Sequence, residues 1–297
     1  SFGAREYDAM RRAIHTAIAF GLVTGAVLTV AGVALTPTIL RWMGTPAEVL
    51  PQSVSYFRYY SYGIFFTVMY NIFVGILHAV GDSKHPLYYL IISTFINVVL
   101  DLLFVAKFSM GVPGVALATV IAQAISAVLC YWKLMSMRDL FDLSLKTMRL
   151  IPAMAKRILK IGIPSGITQA IMSCSMMVVQ ALTNSMGEMV IAANVIIMRV
   201  DGFAMMPNLS FGQAMTVYTG QNVGARRLDR VHQGTKQGMI MNVAISAAIT
   251  VIILIFGPFL FDLFTDTPEL IALATRMMRI LAVGYICMAV SQTLGGV

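Results

Sequence analysis

The sequence is poor in charged residues. Only 11% of its 297 residues are Asp, Glu, Lys or Arg, 58% are hydrophobic, and the mean hydropathy is +0.81. Soluble domains carry about 25% charged residues, and a water-soluble fold of this size needs more polar surface than this chain supplies. The composition therefore excludes an ordinary soluble domain. It predicts an all-α polytopic membrane protein.

Cysteine and histidine are scarce as well. The three cysteines, Cys130, Cys174 and Cys287, all fall in apolar segments and lack the spacing of a metal site or a disulfide framework. The four histidines are scattered, and no nucleophile–base arrangement stands out. We predict that the protein is not an enzyme, has no cofactor and has no firm metal site. The net charge of +8 comes from short loops, so nucleic acid is not an expected partner.

Eight apolar segments are each long enough to cross a bilayer as a helix, which takes about 20 residues. The second and the sixth are long and are expected to project beyond the bilayer or to bend. Pro207 is expected to kink the sixth because proline removes a backbone donor. The predicted spans are 13–35, 50–80, 86–106, 113–136, 158–182, 188–215, 236–262 and 268–294.

Basic residues are concentrated in one set of alternate loops, which holds fifteen of the 21 Lys and Arg. By the positive-inside rule these loops are cytoplasmic. We expect residue 1 and the loop 137–157 on the cytoplasmic side of the cell inner membrane. The predicted organisation is an N-terminal lobe 1–136, a basic amphipathic linker 137–157 and a C-terminal lobe 158–297.

The chain also repeats itself at an interval of 221 residues. "FGAREYD" near the start matches "VGARRLD", Pro37 matches Pro258, and Gly63 matches Gly284. Six spans separate equivalent points, so the two copies run in the same orientation, which is typical of transporters. We expect two lobes of six helices each. The eight spans present here would then be the third to tenth helices of twelve, with both ends missing.

One apolar span, "FINVVLDLLFV", contains Asn97 and Asp101 four residues apart on one helix face. An ionisable residue in a membrane span is by default a functional hypothesis. Asp101 would take up and release a proton, or bind Na⁺ together with Asn97 and a neighbouring hydroxyl. Alternatively, Asp101 reaches the outer interface or pairs with Lys107. The hydroxyl is offered by Thr119 in the next span, although such a residue often bonds back to its own helix.

Further polar side chains lie in other spans. Gln123 follows Thr119 by one helical turn, and the sixth span contains Arg199, Asp201 and Asn194. Arg199 and Asp201 are two residues apart and do not face each other on a helix. They either line a central cavity or form pairs between helices.

Several motifs carry a resemblance to a known family. They are the loop "GDSKHP", "INVVLDLLFV", "GVPGVALATVIAQ", "IGIPSGITQAI" and "AANVIIMRVDGFAMMPNLSFGQAMTVYTGQNVGA". With the two-lobe repeat, they resemble the multidrug and toxic compound extrusion (MATE) transporters over essentially the whole chain. The resemblance implies two pseudo-twofold-related lobes in a monomer within the bilayer. It also implies an antiporter that exports small amphipathic or cationic drugs in exchange for H⁺ or Na⁺.

The resemblance also implies site residues. In the DinF-like branch an Asn and an Asp on the fifth helix and a Thr on the sixth form a cation site, and these match Asn97, Asp101 and Thr119. Asn71 is the nearest candidate for a further Asn on the fourth helix. The other branch has a Glu on the seventh helix, but "PSGITQAIMSCS" contains no acid, which favours coupling through Asp101. The implied substrate-cavity residues are Arg199, Asp201, Gln169, Ser173, Gln123 and Asn194.

The alternative function is that of a lipid-linked oligosaccharide flippase from the same superfamily. Such proteins tend to have a cationic central cavity that accepts pyrophosphate groups. Only Arg199 clearly qualifies for that role in this sequence.

Overall fold

The computed structural model describes residues 4, 6–42, 47–137 and 151–297, and these residues are almost entirely helical. A π-helical turn, Leu103–Lys107, continues the fourth α-helix. The helices are α1 Tyr7–Trp42, α2 Leu50–Tyr62, α3 Ile64–Ala79, α4 Lys84–Leu102, α5 Gly111–Ser136, α6 Pro152–Ser185, α7 Glu188–Gly224, α8 Leu228–Asp262 and α9 Pro268–Gly295.

Eight helical segments in the described ranges are long and apolar enough to cross a membrane. Helices α2 and α3 together form one of them, Leu50–Ala79, and α4 with its π-helical turn forms another, Lys84–Lys107. Large apolar side chains such as Phe95 (71% exposed) and Trp132 (68% exposed) lie on their outer surfaces. Such surfaces are compatible with lipid and not with water. The prediction of eight spans in an all-α polytopic protein is confirmed.

Gly63 divides the second span into α2 and α3. A Cβ added at Gly63 would lie 2.8 Å from Val120 Cγ2 and 3.1 Å from the Tyr60 carbonyl oxygen. Only glycine allows the chain to approach α5 this closely at the break.

In the sixth span, α7 continues across Pro207 and ends at Gly224. Proline occurs inside α1, α6 and α8 as well, at Pro37, Pro164 and Pro258. Proline removes one intrahelical hydrogen bond, and a spanning helix tolerates that loss where neighbours satisfy the freed carbonyl.

The predicted linker 137–157 lies mostly outside the described residues, which omit 138–150. At its C-terminal end the predicted linker overlaps a helix. Helix α6 begins at Pro152, so residues 152–157 are helical and continuous with the fifth span. Proline is favoured in the first helical turn, where its missing N–H would have no partner in any case.

The chain divides into two compact units, Glu6–Lys160 and Ile161–Val297. In the first unit, α2 and α3 each pack against both α1 and α5, and α4 packs against α5. Its apolar core contains Met10, Ile14, Ile18, Met69, Phe73, Ile76, Leu77, Cys130 and Leu134.

In the second unit, helices α7, α8 and α9 pack against one another, each contacting the other two. Their core is formed by Ala193, Ile196, Ile197, Val200, Ala204, Ile253, Phe261, Leu270, Ala274, Met278 and Tyr285. The part of α6 that belongs to this unit leaves most of its side chains exposed. The three-helix bundle α7–α9 is therefore the packed body of the unit.

Candidate functional site

Helices α4 and α5 form an antiparallel pair that positions the predicted cation residues. Their connection is tight: Ser109 (φ 51°) and Gly111 (φ 61°) adopt left-handed backbone conformations, and a Cβ added at Gly114 would lie 3.1 Å from Phe104 Cβ. Counting away from this contact at 1.5 Å per residue puts Thr119 on α5 level with the turn of α4 between Asn97 and Asp101. The structure thus brings these three predicted residues to one level of two packed helices.

Three side-chain polar atoms on this helix pair are buried and lack hydrogen-bond partners. Asp101 Oδ1, Asn97 Nδ2 and Gln123 Oε1 are all inaccessible to solvent, and none accepts or donates a hydrogen bond. An unsatisfied buried polar group costs about 1–3 kcal/mol. Because native structures seldom carry such groups without a reason, three on one pair of spanning helices indicate a site for a proton, an ion or ordered water.

The alternative pairing of Asp101 with Lys107 is not observed. Lys107 is exposed at the end of the π-helical turn. Within the described residues the carboxylates that form ion pairs are those of Asp82 and Asp229, and Asp101 forms none. Asp101 is therefore a partly buried acid whose charge no neighbouring cation neutralises.

Thr119 and Asn71 make hydrogen bonds within their own helices. Thr119 Oγ1 donates to the Val115 carbonyl oxygen at 3.0 Å, as the alternative interpretation of this residue expected. Its oxygen keeps lone pairs that can accept a hydrogen bond or bind a cation. Asn71 is exposed on α3 and donates to the Thr67 carbonyl oxygen at 2.8 Å. Since α3 packs mainly against α1 and α5, Asn71 is less directly placed beside α4 than Thr119 is.

In the second unit, Asp201 on α7 accepts a hydrogen bond from the hydroxyl of Tyr285 on α9. Tyr285 is only 2% exposed, and its hydroxyl also lies 3.1 Å from Met278 Sδ. The geometry matches pairing between helices, one of the two roles expected for Asp201. Arg199 is exposed and forms no ion pair within the described parts of the chain.

The remaining predicted cavity residues of this unit are more dispersed. Asn194 Nδ2 contacts Met198 Sδ on its own helix at 3.6 Å. Gln169 and Ser173 are exposed on α6, whose main body packs against neither α7 nor α8. Within the second unit, the structure therefore does not gather these residues into one cluster.

Sequence reasoning missed a ladder of buried polar side chains between α7, α8 and α9. Ser246 Oγ donates to Asn208 Oδ1 at 2.7 Å. Asn242 Nδ2 donates to the Ala289 carbonyl oxygen and to Thr293 Oγ1, each at 3.0 Å. Asn208, Asn242 and Thr293 are fully buried. The available signal was the spacing of Asn242, Ser246 and Thr250 at successive turns of an apolar span.

The "GDSKHP" loop has a local structural role at the junction of α3 and α4. Gly81 ends α3 with a left-handed backbone (φ 87°), which glycine adopts without strain. Asp82 accepts a hydrogen bond from the His85 backbone N–H at 3.2 Å, and His85 Nδ1 lies 2.7 Å from its Oδ2. Lys133 Nζ on α5 is 3.9 Å from the same carboxylate. Burial raises the pKa of Asp82, but His85 and Lys133 together outweigh burial and hold that pKa below its ordinary value.

These features define a multi-pass α-helical protein of the cell membrane with buried polar groups in its spans. The MatE family model matches residues 1–103 and 164–297, and the chain belongs to this family. The resemblance to MATE transporters is thereby confirmed.

Similar proteins agree with this assignment. The chain is 30% identical to the "Probable multidrug resistance protein YoeA" of Bacillus subtilis, with 98% of the chain and 65% of that protein aligned. It is 24% identical to the "Probable multidrug resistance protein NorM" of Thermotoga maritima, with 100% of the chain and 64% of that protein aligned. The chain thus spans slightly less than two thirds of the length of these relatives.

Solved structures match the fold. One is a crystal structure of MATE in the bent conformation, with a TM-score of 0.88 and 26% identity over 99% of this chain and 66% of the other. Another is a MOP superfamily transporter from Pyrococcus furiosus, with a TM-score of 0.89 and 25% identity over 99% of this chain and 67% of the other. The arrangement of helices described above is therefore that of MATE transporters.

Proposed function

We propose that the full-length protein is a secondary antiporter that exports small amphipathic or cationic compounds in exchange for H⁺ or Na⁺. Membership of the MatE family and relatives named as multidrug resistance proteins support export as the activity. The observation that carries the coupling is local to α4. Asp101 Oδ1 and Asn97 Nδ2 are buried in a spanning helix without hydrogen-bond partners.

Binding of a cation to Asp101 changes the charge of α4 inside the membrane. Without a bound cation the carboxylate is negative and no positively charged side chain among the described residues pairs with it, which is costly in a medium of low dielectric constant. With a proton or Na⁺ bound, the site is neutral and α4 can pack more closely against its neighbours. Export is coupled to the gradient only if the two conformations of the transporter bind the cation with different affinity.

The residues present fit either cation. A proton needs only the Asp101 carboxylate and an acceptor for the resulting O–H. Sodium is a hard cation that prefers oxygen ligands, and the Asp101 carboxylate, the Asn97 amide oxygen and Thr119 Oγ1 would supply them. The compounds exported would be recognised by the parts of the protein that face the transport pathway.

The test is the export of a fluorescent cationic dye from everted membrane vesicles containing the full-length protein. Asp101→Asn is compared with the wild type, and Asp262→Asn, at the exposed end of α8, is the matched control. We expect Asp101→Asn to abolish gradient-driven export at normal expression, and the control to retain it. Collapsing the pH gradient and the Na⁺ gradient separately identifies the driving ion. Wild-type export by Asp101→Asn would contradict the coupling role.

A further inference from the structure

Polar side chains recur at every fourth position along the whole of α4. These five residues form a polar stripe: His85, Tyr89, Ser93, Asn97 and Asp101. Residues four apart are neighbours on a helix surface, with Cβ atoms about 5–6 Å apart, so each of these side chains lies next to the following one. Sixteen positions separate His85 from Asp101, which is about 24 Å at 1.5 Å per residue. The polar stripe therefore covers most of the hydrocarbon thickness of a bilayer, about 30 Å.

The polar stripe faces α5 and not the outer surface of α4. Within the described residues α4 packs mainly against α5. Ser93 is buried and the other four members are partly buried, whereas the adjacent Tyr88 and Thr94 lie beside the stripe and are exposed. Polar groups turned inward in an apolar membrane helix mark ion paths or proton relays. The stripe is thus a candidate path along the interface between the two helices.

The His85 end of the stripe is arranged for proton exchange. The distribution of basic loops predicts that this end of α4 is cytoplasmic. His85 Nδ1 lies 2.7 Å from Asp82 Oδ2, and Lys133 Nζ on α5 lies 3.9 Å from the same carboxylate. The contact with Asp82 orients the imidazole and leaves Nε2 for proton exchange, and 40% of the His85 side chain is exposed. The rings of His85 and Tyr89 are neighbours, with centroids 6.1 Å apart.

The middle and the far end of the stripe have hydrogen-bonding capacity to spare. Ser93 Oγ donates to the Leu90 carbonyl oxygen at 3.1 Å, which is longer than the usual 2.7–2.8 Å of an O–H···O bond, so the hydroxyl can turn to another acceptor. Asn97 Nδ2 and Asp101 Oδ1 are buried without partners. Ordered water would satisfy such atoms. One water also bridges a gap of about 5–6 Å between neighbouring members, because it makes two hydrogen bonds of about 2.8 Å.

We infer that the polar stripe is a proton path, in which Tyr89, Ser93 and His85 relay a proton between Asp101 and the cytoplasm. This inference rests on the proposed coupling through Asp101 and takes H⁺ as the coupling ion. The Asp101 O–H gives its proton to an ordered water, and each water or hydroxyl along the stripe accepts one proton and passes on another. His85 Nε2 takes up the last proton and releases it to bulk water. One proton leaves Asp101 and one reaches the cytoplasm, so only O–H and N–H bonds break and form, and the Asp101 carboxylate is left negative.

The test measures proton flux in proteoliposomes that contain the full-length protein and an enclosed pH indicator. A gradient of ethidium, a cationic dye, drives protons in the opposite direction. Tyr89→Phe and Ser93→Ala each remove one hydroxyl from the stripe, and Tyr88→Phe and Thr94→Val remove hydroxyls from the exposed positions beside it. We expect the initial proton flux to fall about tenfold in the first two variants, as loss of one buried hydrogen bond predicts. The flux should be unchanged in the two controls.

Two further measurements separate a relay from a structural role. Binding of ethidium, followed by its fluorescence, should be unchanged in Tyr89→Phe and Ser93→Ala, because the stripe carries protons and does not hold the exported compound. Ser93→Thr restores a hydroxyl at the same position and should recover the proton flux. Thermal unfolding of each variant close to that of the wild type confirms that the comparison concerns proton transfer and not folding.

The possible results bear on different parts of the argument. Normal proton flux in both Tyr89→Phe and Ser93→Ala, with Asp101→Asn inactive, would overturn the proton path and leave the proposed function standing. Export driven by Na⁺ without proton flux would have the same meaning. Equal losses in the exposed controls, or a loss that Ser93→Thr does not restore, would also overturn the path. Wild-type export by Asp101→Asn would instead contradict the proposed coupling itself.

Discussion

Tyr285 of α9 donates a hydrogen bond to the carboxylate of Asp201 on α7. Tyr285 is buried, whereas Arg199, two residues before Asp201, is exposed. The two charged residues of the sixth span therefore have different surroundings, as their spacing on a helix requires. Asp201 belongs to the interface between α7 and α9, and Arg199 is the residue of the two that remains accessible.

Replacing Tyr285 by Phe should destabilise the second unit. The substitution keeps the ring in the core and removes the donor to Asp201, and hydrogen bonds to charged groups contribute about 1.5–3 kcal/mol. We expect a clear fall in the unfolding temperature of the purified full-length protein. Tyr218→Phe is the control, because the Tyr218 hydroxyl donates to the Arg230 carbonyl oxygen at 2.9 Å in an exposed setting. An equal fall in unfolding temperature in the two variants would show that the hydrogen bond to Asp201 stabilises the protein no more than the exposed hydrogen bond of Tyr218 does.

Replacing Asn242 by Ala should lower the free energy of unfolding more than most single substitutions in α8 do. It removes the donor for the Ala289 carbonyl oxygen and for Thr293 Oγ1 and leaves a cavity in the bundle. Together these effects cost about 2–4 kcal/mol. Thr216→Ala, at an exposed threonine that bonds only to its own helix, should stay within about 0.5 kcal/mol of the wild type. Denaturant titration followed by far-ultraviolet circular dichroism measures the unfolding free energy of both variants, and similar values would refute a stabilising role for the ladder.

Asp82 offers a test that depends on pH. Asp82→Ala removes the acceptor for the His85 N–H in the first turn of α4 and should cost about 1 kcal/mol, whereas Asp82→Asn keeps an accepting oxygen and removes only the charge. The pKa of Asp82 is lowered in the folded protein, by His85 and Lys133 acting against burial. The charge therefore stabilises the fold above the unfolded value of about 3.9, and this contribution is lost as pH falls through the lowered pKa.

The corresponding measurement is thermal unfolding of the wild type and Asp82→Asn from pH 7 to pH 3. The wild type should be the more stable at neutral pH, and the difference should shrink below about pH 4. If the stability difference between the wild type and Asp82→Asn stays constant from pH 7 to pH 3, the ionised carboxylate of Asp82 does not stabilise the fold.

Gly63 and Gly284 form a matched pair, because they are equivalent in the sequence repeat but differ in their surroundings. A Cβ at Gly63 would lie 2.8 Å from Val120 Cγ2, and nothing lies within 4 Å of a Cβ at Gly284. Gly63→Ala should therefore destabilise the first unit, by about 1–3 kcal/mol as overpacking does. Gly284→Ala should be neutral or stabilise by up to about 1 kcal/mol, because alanine is the better helix former. Unfolding temperatures test both, and a stable Gly63→Ala would contradict the close approach of α5.

Much of the architecture follows from the sequence. The bilayer sets the length of a spanning helix, so the eight apolar runs identified the spans and the scarcity of charge identified the class of protein. Asn97 and Asp101 could be selected because polar residues at helical spacing are conspicuous in an apolar span. The family resemblance rested on sequence motifs, and the MatE match confirms the family.

Other features could not be read from the sequence, because they depend on which helices pack together. The partner of Asp201 is Tyr285, 84 residues away, and no local pattern links the two. The burial of Gln123 Oε1 without a partner and the break at Gly63 follow from the packing of α5. Hydropathy and periodicity determined where this chain crosses the membrane. Contacts between helices decided which polar groups are satisfied there and which are left without partners, since burial and pairing are properties of neighbours in space.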